Sequence, residues 1–300
     1  MAQPLVHERG RLLARQESKG WLFVAPFLAV FALLFLAPIG YALYLSLFRE
    51  QTFFGGNVFV GLGNYADALS DAKLLEAAAR VLVFFVIQVP LMLVLALLAA
   101  LAIDSARLHA AGMFRLVIFL PYAVPGVVAV LMWGYLYGDK FGLAGDLNNL
   151  LGTALHPLSG SWMLPAIANI VTWEFVGYNM LVFYSALRTI PEELYEAAAI
   201  DGAGPIRIAR AIKLPALRGA LVIVTIFSII GTFQLFNEPN ILRSLAPNEI
   251  TTFYTPNMYA YNLSFAGQEF SYSATVAIIM GVLTAAIAYV LQLRGSREAL

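Results

Sequence analysis

The chain has 300 residues, of which 61% are hydrophobic and only 12% are charged. So few charges cannot cover the surface of a water-soluble globule, and the many aliphatic and aromatic side chains exclude an intrinsically disordered chain. The 18 basic residues are balanced by 18 acidic ones, which argues against a basic nucleic-acid surface, and the absence of cysteine excludes disulfides, thiol nucleophiles and iron–sulfur sites.

Six apolar segments are long enough to cross a bilayer, which requires about 20 helical residues. Five of them carry no charge, and the fourth is interrupted only by Glu174. We therefore predict an all-α membrane protein with six transmembrane helices, at residues 20–48, 81–103, 116–138, 163–187, 219–237 and 270–293. Internal prolines are expected to mark kinks, because neighbouring helices satisfy the carbonyls that proline leaves free. These prolines are Pro26, Pro38, Pro90, Pro121 and Pro125. A short surface helix is expected within 141–160.

The distribution of Lys and Arg predicts the orientation of the chain. With the N-terminus inside, 13 of the 18 basic residues fall on the cytoplasmic side, as the positive-inside rule requires. We therefore expect both termini in the cytoplasm. The predicted parts are a cytoplasmic N-terminal segment at 1–20, a six-helix transmembrane domain at 21–293 that includes a cytoplasmic loop at 188–218, and a cytoplasmic tail at 294–300.

The loop at 188–218 carries the clearest local pattern. Pro191 suits the first position of a helix whose first turn is acidic, which complements the positive end of the helix dipole. Gly202 can end this helix in the left-handed conformation, Pro205 starts a second helix, and Pro215 is expected to end it. One interpretation of this helix–turn–helix is an amphipathic loop lying against lipid headgroups.

A second interpretation comes from the spacing of residues in the same loop. Glu196-Ala197-Ala198, three residues, Gly202, nine residues and then Ile212-Lys213-Leu214-Pro215 match the pattern E-A-A-x3-G-x9-I-x-L-P. The chain thus resembles the permeases of type I ATP-binding-cassette importers, whose EAA loop sits in a cleft on the ATPase subunit. The resemblance implies a type I importer permease fold. It also implies an ATPase-coupling role for Glu196, Ala197, Ala198, Asp201, Gly202, Leu214 and Pro215.

Other short motifs extend the resemblance over nearly the whole chain. Four short features resemble hallmarks of carbohydrate-uptake permeases: GLGNY at 61–65, FR at 114–115, FLP at 119–121 and Trp133. Two further segments resemble those of permeases for di- and oligosaccharides, such as β-glucosides. They are FQLFNEP at 233–239 and TPNMYAYN at 255–262. We therefore expect the permease subunit of an ATP-driven importer of a di- or oligosaccharide, with the sugar chosen mostly by a separate binding protein.

The resemblance also implies the partners and the location. The partners are a second homologous permease, two ATPase subunits, an extracellular or periplasmic sugar-binding protein and the lipid bilayer of a bacterial or archaeal inner membrane. The sequence has no G-x4-G-K-[ST] motif, so ATP and Mg²⁺ are expected in the partner ATPase. No catalytic residue, cofactor, metal or nucleic acid is expected for this chain itself.

A sugar that crosses the membrane needs polar partners, because each unpaired hydroxyl in hydrocarbon costs on the order of several kcal/mol. Polar residues within the spans are therefore candidates for a substrate path. They are Gln88, Trp173, Glu174, Tyr178, Asn179, Gln234, Asn237 and Glu238. Each has a structural alternative: Gln88 could satisfy a carbonyl freed by Pro90, Glu174 could join two helices, Glu238 could anchor an external cap, and tryptophans often anchor the membrane interface.

Two other functions compete with this interpretation. One is an intramembrane enzyme that uses Glu174 and Glu238 as acid and base. The other is an ion-driven secondary transporter. This function would require inverted repeats and paired intramembrane charges, and the sequence has only one mid-span carboxylate.

Overall fold

The computed structural model describes residues 21–51, 56–105, 108–140 and 142–297, and the chain within them is mainly helical. The predicted segment 1–20 and residues 298–300 of the predicted tail lie outside the described residues. The helices are α1 (Trp21–Ser46), α2 (Gly63–Ser70), α3 (Ala72–Ile103), α4 (Ala111–Phe119), α5 (Gly126–Leu136), α6 (Leu143–Leu151), α7 (Gly160–Leu187), α8 (Glu192–Ile200), α9 (Pro205–Ile208), α10 (Arg218–Phe233), α11 (Asn237–Leu242), α12 (Pro256–Phe265) and α13 (Phe270–Arg297). After α1, strand β1 (Phe48–Glu50) pairs antiparallel with β2 (Asn57–Phe59).

Within the described ranges, five helical segments are long and apolar enough to cross a membrane. They are Trp21–Ser46, Ala72–Ile103, Gly160–Leu187, Arg218–Leu242 and Phe270–Leu293. A sixth crossing results if α4, with the short turn after it, and α5 count as one span bent by 97°. The predicted all-α membrane fold is therefore confirmed, with a third crossing that is broken. The surface helix expected within 141–160 is α6.

The third span differs from the continuous helix predicted over 116–138. A 3₁₀ turn at Leu120–Ala123 follows α4, and Val124 and Pro125 then both have ψ of 130° before α5 begins. Pro121 and Pro125 lack the N–H groups that a continuous helix requires. Val124 is extended, as expected for a residue before a proline, whereas Leu120 before Pro121 stays helical. These residues therefore break the span instead of only kinking it.

Helices α3 and α7 form the centre of the bundle, and each continues through an internal proline, Pro90 and Pro165. Apolar side chains fill two cores along them. One core, towards the predicted external side, includes Phe84, Met163, Ile167, Leu242 and Met258. The other, towards the loop at 188–218, includes Met92, Met180, Phe183, Leu187 and Leu217. Helix α1 packs against α13 at the edge, and its most apolar window has no buried residue.

Three helices meet at Asp71, at the predicted external side. Oδ1 of Asp71 accepts a hydrogen bond from the N–H of Lys73 at 2.9 Å and so caps α3. Its Oδ2 accepts from the hydroxyls of Tyr259 in α12 and Tyr272 in α13, at 2.6 and 2.8 Å. Burial raises the pKa of Asp71, but these hydrogen bonds outweigh it and hold the pKa below the ordinary value. An ionised carboxylate therefore joins α3, α12 and α13.

Candidate functional site

The loop between α7 and α10 folds into the predicted helix–turn–helix. Pro191 was predicted to be the first helical residue. It instead immediately precedes α8, with φ −60° and ψ 139°. Gly202 follows the helix with φ +70°. The N–H of Gly202 donates to the carbonyl of Ala199 at 3.0 Å, and the N–H of Ala203 donates to that of Ala198 at 2.9 Å. This is a Schellman motif, in which glycine reverses the chain without the clash of a Cβ.

The second arm of this hairpin is longer than predicted. Helix α9 continues through a π turn at Ala209–Lys213 and a helical turn at Leu214–Ala216, and the arm ends at Leu217. The prediction that Pro215 ends the arm is wrong. Pro215 lies in the first turn after the π turn, where the changed hydrogen-bond register makes its missing N–H cost little. We call residues 191–216 the hairpin.

Most of the predicted coupling residues are exposed on the hairpin. Glu196, Ala197, Asp201, Gly202, Leu214 and Pro215 are exposed, and Ala198 is half-buried. None of the described residues of α8 is buried, and the side chains of Ile200 and Ile206 are among the most exposed apolar ones. Exposed apolar side chains next to small residues form a surface that another protein can cover closely.

The residues that attach the hairpin to the spans were not identified from the sequence. Nζ of Lys213 lies 2.5 Å from Oδ2 of Asp104, the residue that ends α3, and these side chains are only 15% and 9% exposed. The same ammonium group lies 5.5 Å from the ring centroid of Tyr195 on α8. Asp104 follows an apolar span and Lys213 is part of the I-x-L-P segment. Neither position indicates that the two residues, 109 positions apart, would meet.

A cavity of about 940 Å³ separates the hairpin from the ends of α3 and α7. Its lining includes Asp104 and Lys213, together with Arg188 and Tyr195. Burial and the charge of Asp104 raise the pKa of the Tyr195 phenol, and Arg188 partly offsets this effect. The Tyr195 hydroxyl is buried and has no hydrogen-bond partner among the described residues. The cavity thus places charged and phenolic groups within a mainly apolar lining, to which Glu196 and Ile206 of the hairpin also contribute.

Mid-span path candidates on α3 and α7 lie in the interior of the bundle. Gln88, Glu174 and Asn179 are buried, and Trp173 and Tyr178 are half-buried. Nε2 of Gln88 donates to Oγ1 of Thr172 in α7 at 3.2 Å, so this amide joins two helices instead of satisfying a carbonyl near Pro90. Nδ2 of Asn179 donates to the carbonyl of Phe175 at 3.1 Å. Gln88 therefore links the two central helices.

Three buried polar atoms in this region have no hydrogen-bond partner within the described residues. They are Oε1 of Gln88, Oε2 of Glu174 and Nε1 of Trp133. The other carboxylate oxygen of Glu174 lies against Gly126, the first residue of α5, where an added Cβ would be 3.3 Å from it. The carboxylate thus faces the positive end of a helix dipole. Because unpaired buried polar atoms are costly, they indicate a place for water or a polar ligand.

Aromatic rings lie beside these polar atoms. Trp133 packs edge-on against Trp173, with 5.8 Å between ring centroids. Tyr122 stacks on Tyr178, with centroids 4.9 Å apart. Both pairs join the broken third span to α7. The region therefore combines flat apolar faces with unpaired donors and acceptors, the two kinds of group that a sugar requires.

The fifth span breaks at its predicted external end, in contrast to the continuous helix predicted over 219–237. Helix α10 ends at Phe233, and three residues separate it from α11. The freed carbonyls of Phe233 and Leu235 accept hydrogen bonds from Nδ2 of Asn257 at 3.0 Å and Oγ1 of Thr255 at 2.8 Å. Side chains distant in sequence thus satisfy the groups that the break leaves free, so FQLFNEP and TPNMYAYN form one structural unit.

Three path candidates lie at this break. Gln234 and Asn237 are exposed, and Glu238 is half-buried in the first turn of α11. Irregular backbone at membrane depth is tolerated where it is buried in protein or lines a water-filled cavity. The break therefore brings polar side chains and backbone groups together at the end of the span.

Comparison with known proteins shows close similarity over nearly the whole chain. A family model described as "Binding-protein-dependent transport system inner membrane component" matches residues 60–297. The lactose transport system permease protein LacF of Rhizobium radiobacter is 34% identical, over 97% of this chain and 98% of the relative. UgpA of Yersinia pestis, an sn-glycerol-3-phosphate transport system permease protein, is 31% identical, over 88% and 89%. MalF of Thermococcus litoralis, from a trehalose/maltose transport system, is 28% identical, over 91% and 92%.

Solved structures show the same fold. A chain of a bacterial ABC transporter involved in the import of the acidic polysaccharide alginate matches with a TM-score of 0.81. It is 17% identical, over 95% of this chain and 98% of that chain. The fold predicted from the EAA spacing is therefore confirmed.

Proposed function

Because the chain belongs to the family of binding-protein-dependent transport system inner membrane components, we propose that it forms half of the path of a di- or oligosaccharide importer. It is a multi-pass permease of the inner membrane. Relatives named for lactose and for trehalose/maltose transport support a substrate of this size. The family favours transport over the alternatives of intramembrane catalysis and ion-driven transport.

The observation that carries the proposal is the exposed hairpin. Its first helix ends in a Schellman turn at Gly202, and Ala197, Asp201 and Gly202 are exposed there beside Ile200. We assign contact with an ATPase subunit to this surface, with ATP and Mg²⁺ bound by that subunit. Glu196, Ala197, Ala198, Asp201 and Gly202 form the contact, and Leu214 and Pro215 carry the chain back towards α10.

The substrate path runs past the interior polar region. Gln88 and Glu174 present unpaired oxygens there, and the rings of Trp173 and Tyr178 offer flat apolar faces. Asn179 completes the set on α7. At the break of the fifth span, the path opens among Gln234, Asn237 and Glu238. Hydroxyls of a passing sugar would replace water on these groups, which lowers the cost of crossing hydrocarbon.

The proposed assembly has further parts. A second homologous permease completes the path, two ATPase subunits bind the hairpins, and an extracellular or periplasmic binding protein delivers the sugar. A solved alginate transporter in complex with a pentasaccharide-bound periplasmic protein shows such a partnership for a protein of the same fold. The bias of Lys and Arg supports cytoplasmic termini, which put the hairpin on the side of the ATPase.

A substitution at Gly202 tests this function. No atom of the described residues lies within 4 Å of a Cβ built there, and aspartate is one of the residues that tolerate the left-handed conformation. Gly202→Asp therefore keeps the local fold but adds a charged side chain to the proposed contact. We expect the ATPase to be lost on co-purification, and import of radiolabelled lactose, maltose or trehalose into proteoliposomes to stop.

Gly152→Asp is the matched control. Gly152 has φ +64° and equally open surroundings, but it follows α6 on the predicted external side. This variant carries the same backbone cost and charge, and it should retain the ATPase. The proposal fails if Gly202→Asp retains ATPase association and hydrolysis coupled as in the parent.

A further inference from the structure

The ion pair between Asp104 and Lys213 connects two parts of the chain that the backbone does not join. The hairpin continues directly into α7 on one side and into α10 on the other, so these spans follow its movement through covalent bonds. Helix α3 has no such connection. It is nevertheless a central helix and carries Gln88, about 24 Å from Asp104 at 1.5 Å per residue.

The hairpin makes few other firm attachments. No described residue of α8 is buried, whereas the nearby ends of α3, α7 and α10 bury Ile103, Leu187 and Leu217 in a shared apolar core. Apolar contacts between smooth surfaces permit sliding, but a buried ion pair has a fixed partner and direction. The polar pair is therefore suited to set the position of the hairpin relative to α3.

Lys213 contacts all three elements that must move together. It belongs to the π turn of the second arm, its ammonium group binds Asp104 at the end of α3, and it lies over the ring of Tyr195 on α8. A π turn inside a helix often marks a functional position. Here the Lys213 side chain, at the end of the π turn, reaches Asp104 and is mostly shielded from solvent.

We propose that Asp104 and Lys213 are positioning residues that make α3 move as one body with the hairpin when the ATPase closes. This inference rests on the proposed function, because it assumes that the ATPase moves the hairpin. The pair adds to the residues of the EAA spacing, since Lys213 occupies the unspecified position of I-x-L-P and Asp104 lies outside the loop.

Spin labels can measure this connection directly. The chain has no cysteine, so Leu98→Cys on α3 and Glu193→Cys on α8, both exposed, are its only labelling sites when they are introduced. The partner subunits are used in cysteine-free form. Electron–electron double resonance is recorded on the assembled transporter in nanodiscs, without nucleotide and after trapping with ATP and vanadate. We expect a narrow distance distribution with the same maximum in both states.

Lys213→Met keeps the aliphatic stem but removes the charge. We expect a broader distribution whose maximum differs between the two states. The double variant Asp104→Asn, Lys213→Met leaves no unpaired buried charge, so its melting temperature should recover towards that of the parent. Its distance distribution should remain broad, because the connection is still absent. A purely structural role predicts that stability and distance recover together.

Asp139→Asn provides a control, because it removes a pair with His156 whose side chains are about half exposed. Its distribution should equal that of the parent. The inference is overturned if Lys213→Met gives the parent distribution in both states, or if the double variant regains it. A parent complex that does not retain its ATPase would refute the proposed function instead, and the nucleotide-free distances would still test the connection.

Discussion

Gly177 in α7 allows the broken third span to approach the fourth span closely. A Cβ built on Gly177 would lie 2.0 Å from the carbonyl oxygen of Ile118 and 2.7 Å from Cα of Phe119. Both atoms belong to backbone, so no side-chain rotation can relieve the clash. We therefore predict that Gly177→Ala forces α4 and α7 apart and destabilises the protein.

The structure gives the size of the effect. Carbon–oxygen contacts in proteins are usually about 3.3 Å or longer, so the two helices must separate by about 1 Å or more. Overpacking of this kind costs about 1–3 kcal/mol, and alanine returns up to about 1 kcal/mol through its better helix propensity. We expect a net loss of about 1–2 kcal/mol. Because Tyr178 follows Gly177 directly, its stacking on Tyr122 should also be disturbed.

Thermal unfolding in lipid nanodiscs measures this prediction, with Gly281→Ala as the control. Gly281 lies inside α13, and no atom of the described residues is within 4 Å of a Cβ built there. The control should leave the melting temperature unchanged or raise it, through a gain of about 0.5–1 kcal/mol. Equal melting temperatures for Gly177→Ala and Gly281→Ala would refute the reasoning about the close approach.

Three further predictions concern Asp71, the break of the fifth span and the substrate path. Asp71→Ala removes a helix cap and the acceptor of the Tyr259 and Tyr272 hydroxyls, which should cost about 3–5 kcal/mol in thermal unfolding. Because the pKa of Asp71 is lowered in the folded state, its stabilisation is complete above the ordinary pKa of 3.8 and is lost as the pH falls below it. Acid unfolding of the parent should show this loss, and Asp71→Ala should lack it. Thr255→Val leaves a freed carbonyl of the fifth span unpaired, and we expect a loss of about 1–3 kcal/mol in the same assay. Glu174→Gln keeps the side-chain shape, and it should slow sugar uptake into proteoliposomes while ATPase co-purification stays at the parent level. Normal uptake would remove Glu174 from the path.

The membrane spans and the turn after α8 were the parts of the fold that the sequence predicted best. Long charge-free segments admit few structures other than membrane spans, and Gly202 has the left-handed conformation expected from its place after a short helix. The positions of Pro121 and Pro125 indicated a disturbance in the third span. The bend of 97° between α4 and α5 was not predictable, because it involves contacts with distant residues, such as that of α4 with Gly177.

Interactions between distant positions could not be predicted in the same way. The pattern of residues 219–237 gave no reason to end the helix at Phe233, because the groups that accept this break are Thr255 and Asn257. The Asp104–Lys213 pair could not be predicted either, because each residue on its own resembles an ordinary charged residue at the end of a span. The role of the path residues in sugar transport stays a prediction until uptake is measured.

The bonds from Thr255 and Asn257 to the broken fifth span bear on how such permeases can be recombined. A hybrid that takes 233–239 from one relative and 255–262 from another would take the helix break and the side chains that satisfy its freed carbonyls from different parents. Grafts intended to change the transported sugar should therefore move both stretches as a single cassette. In a library built with crossovers between them, members that lack a donor at position 255 or 257 should be less stable than members that keep both.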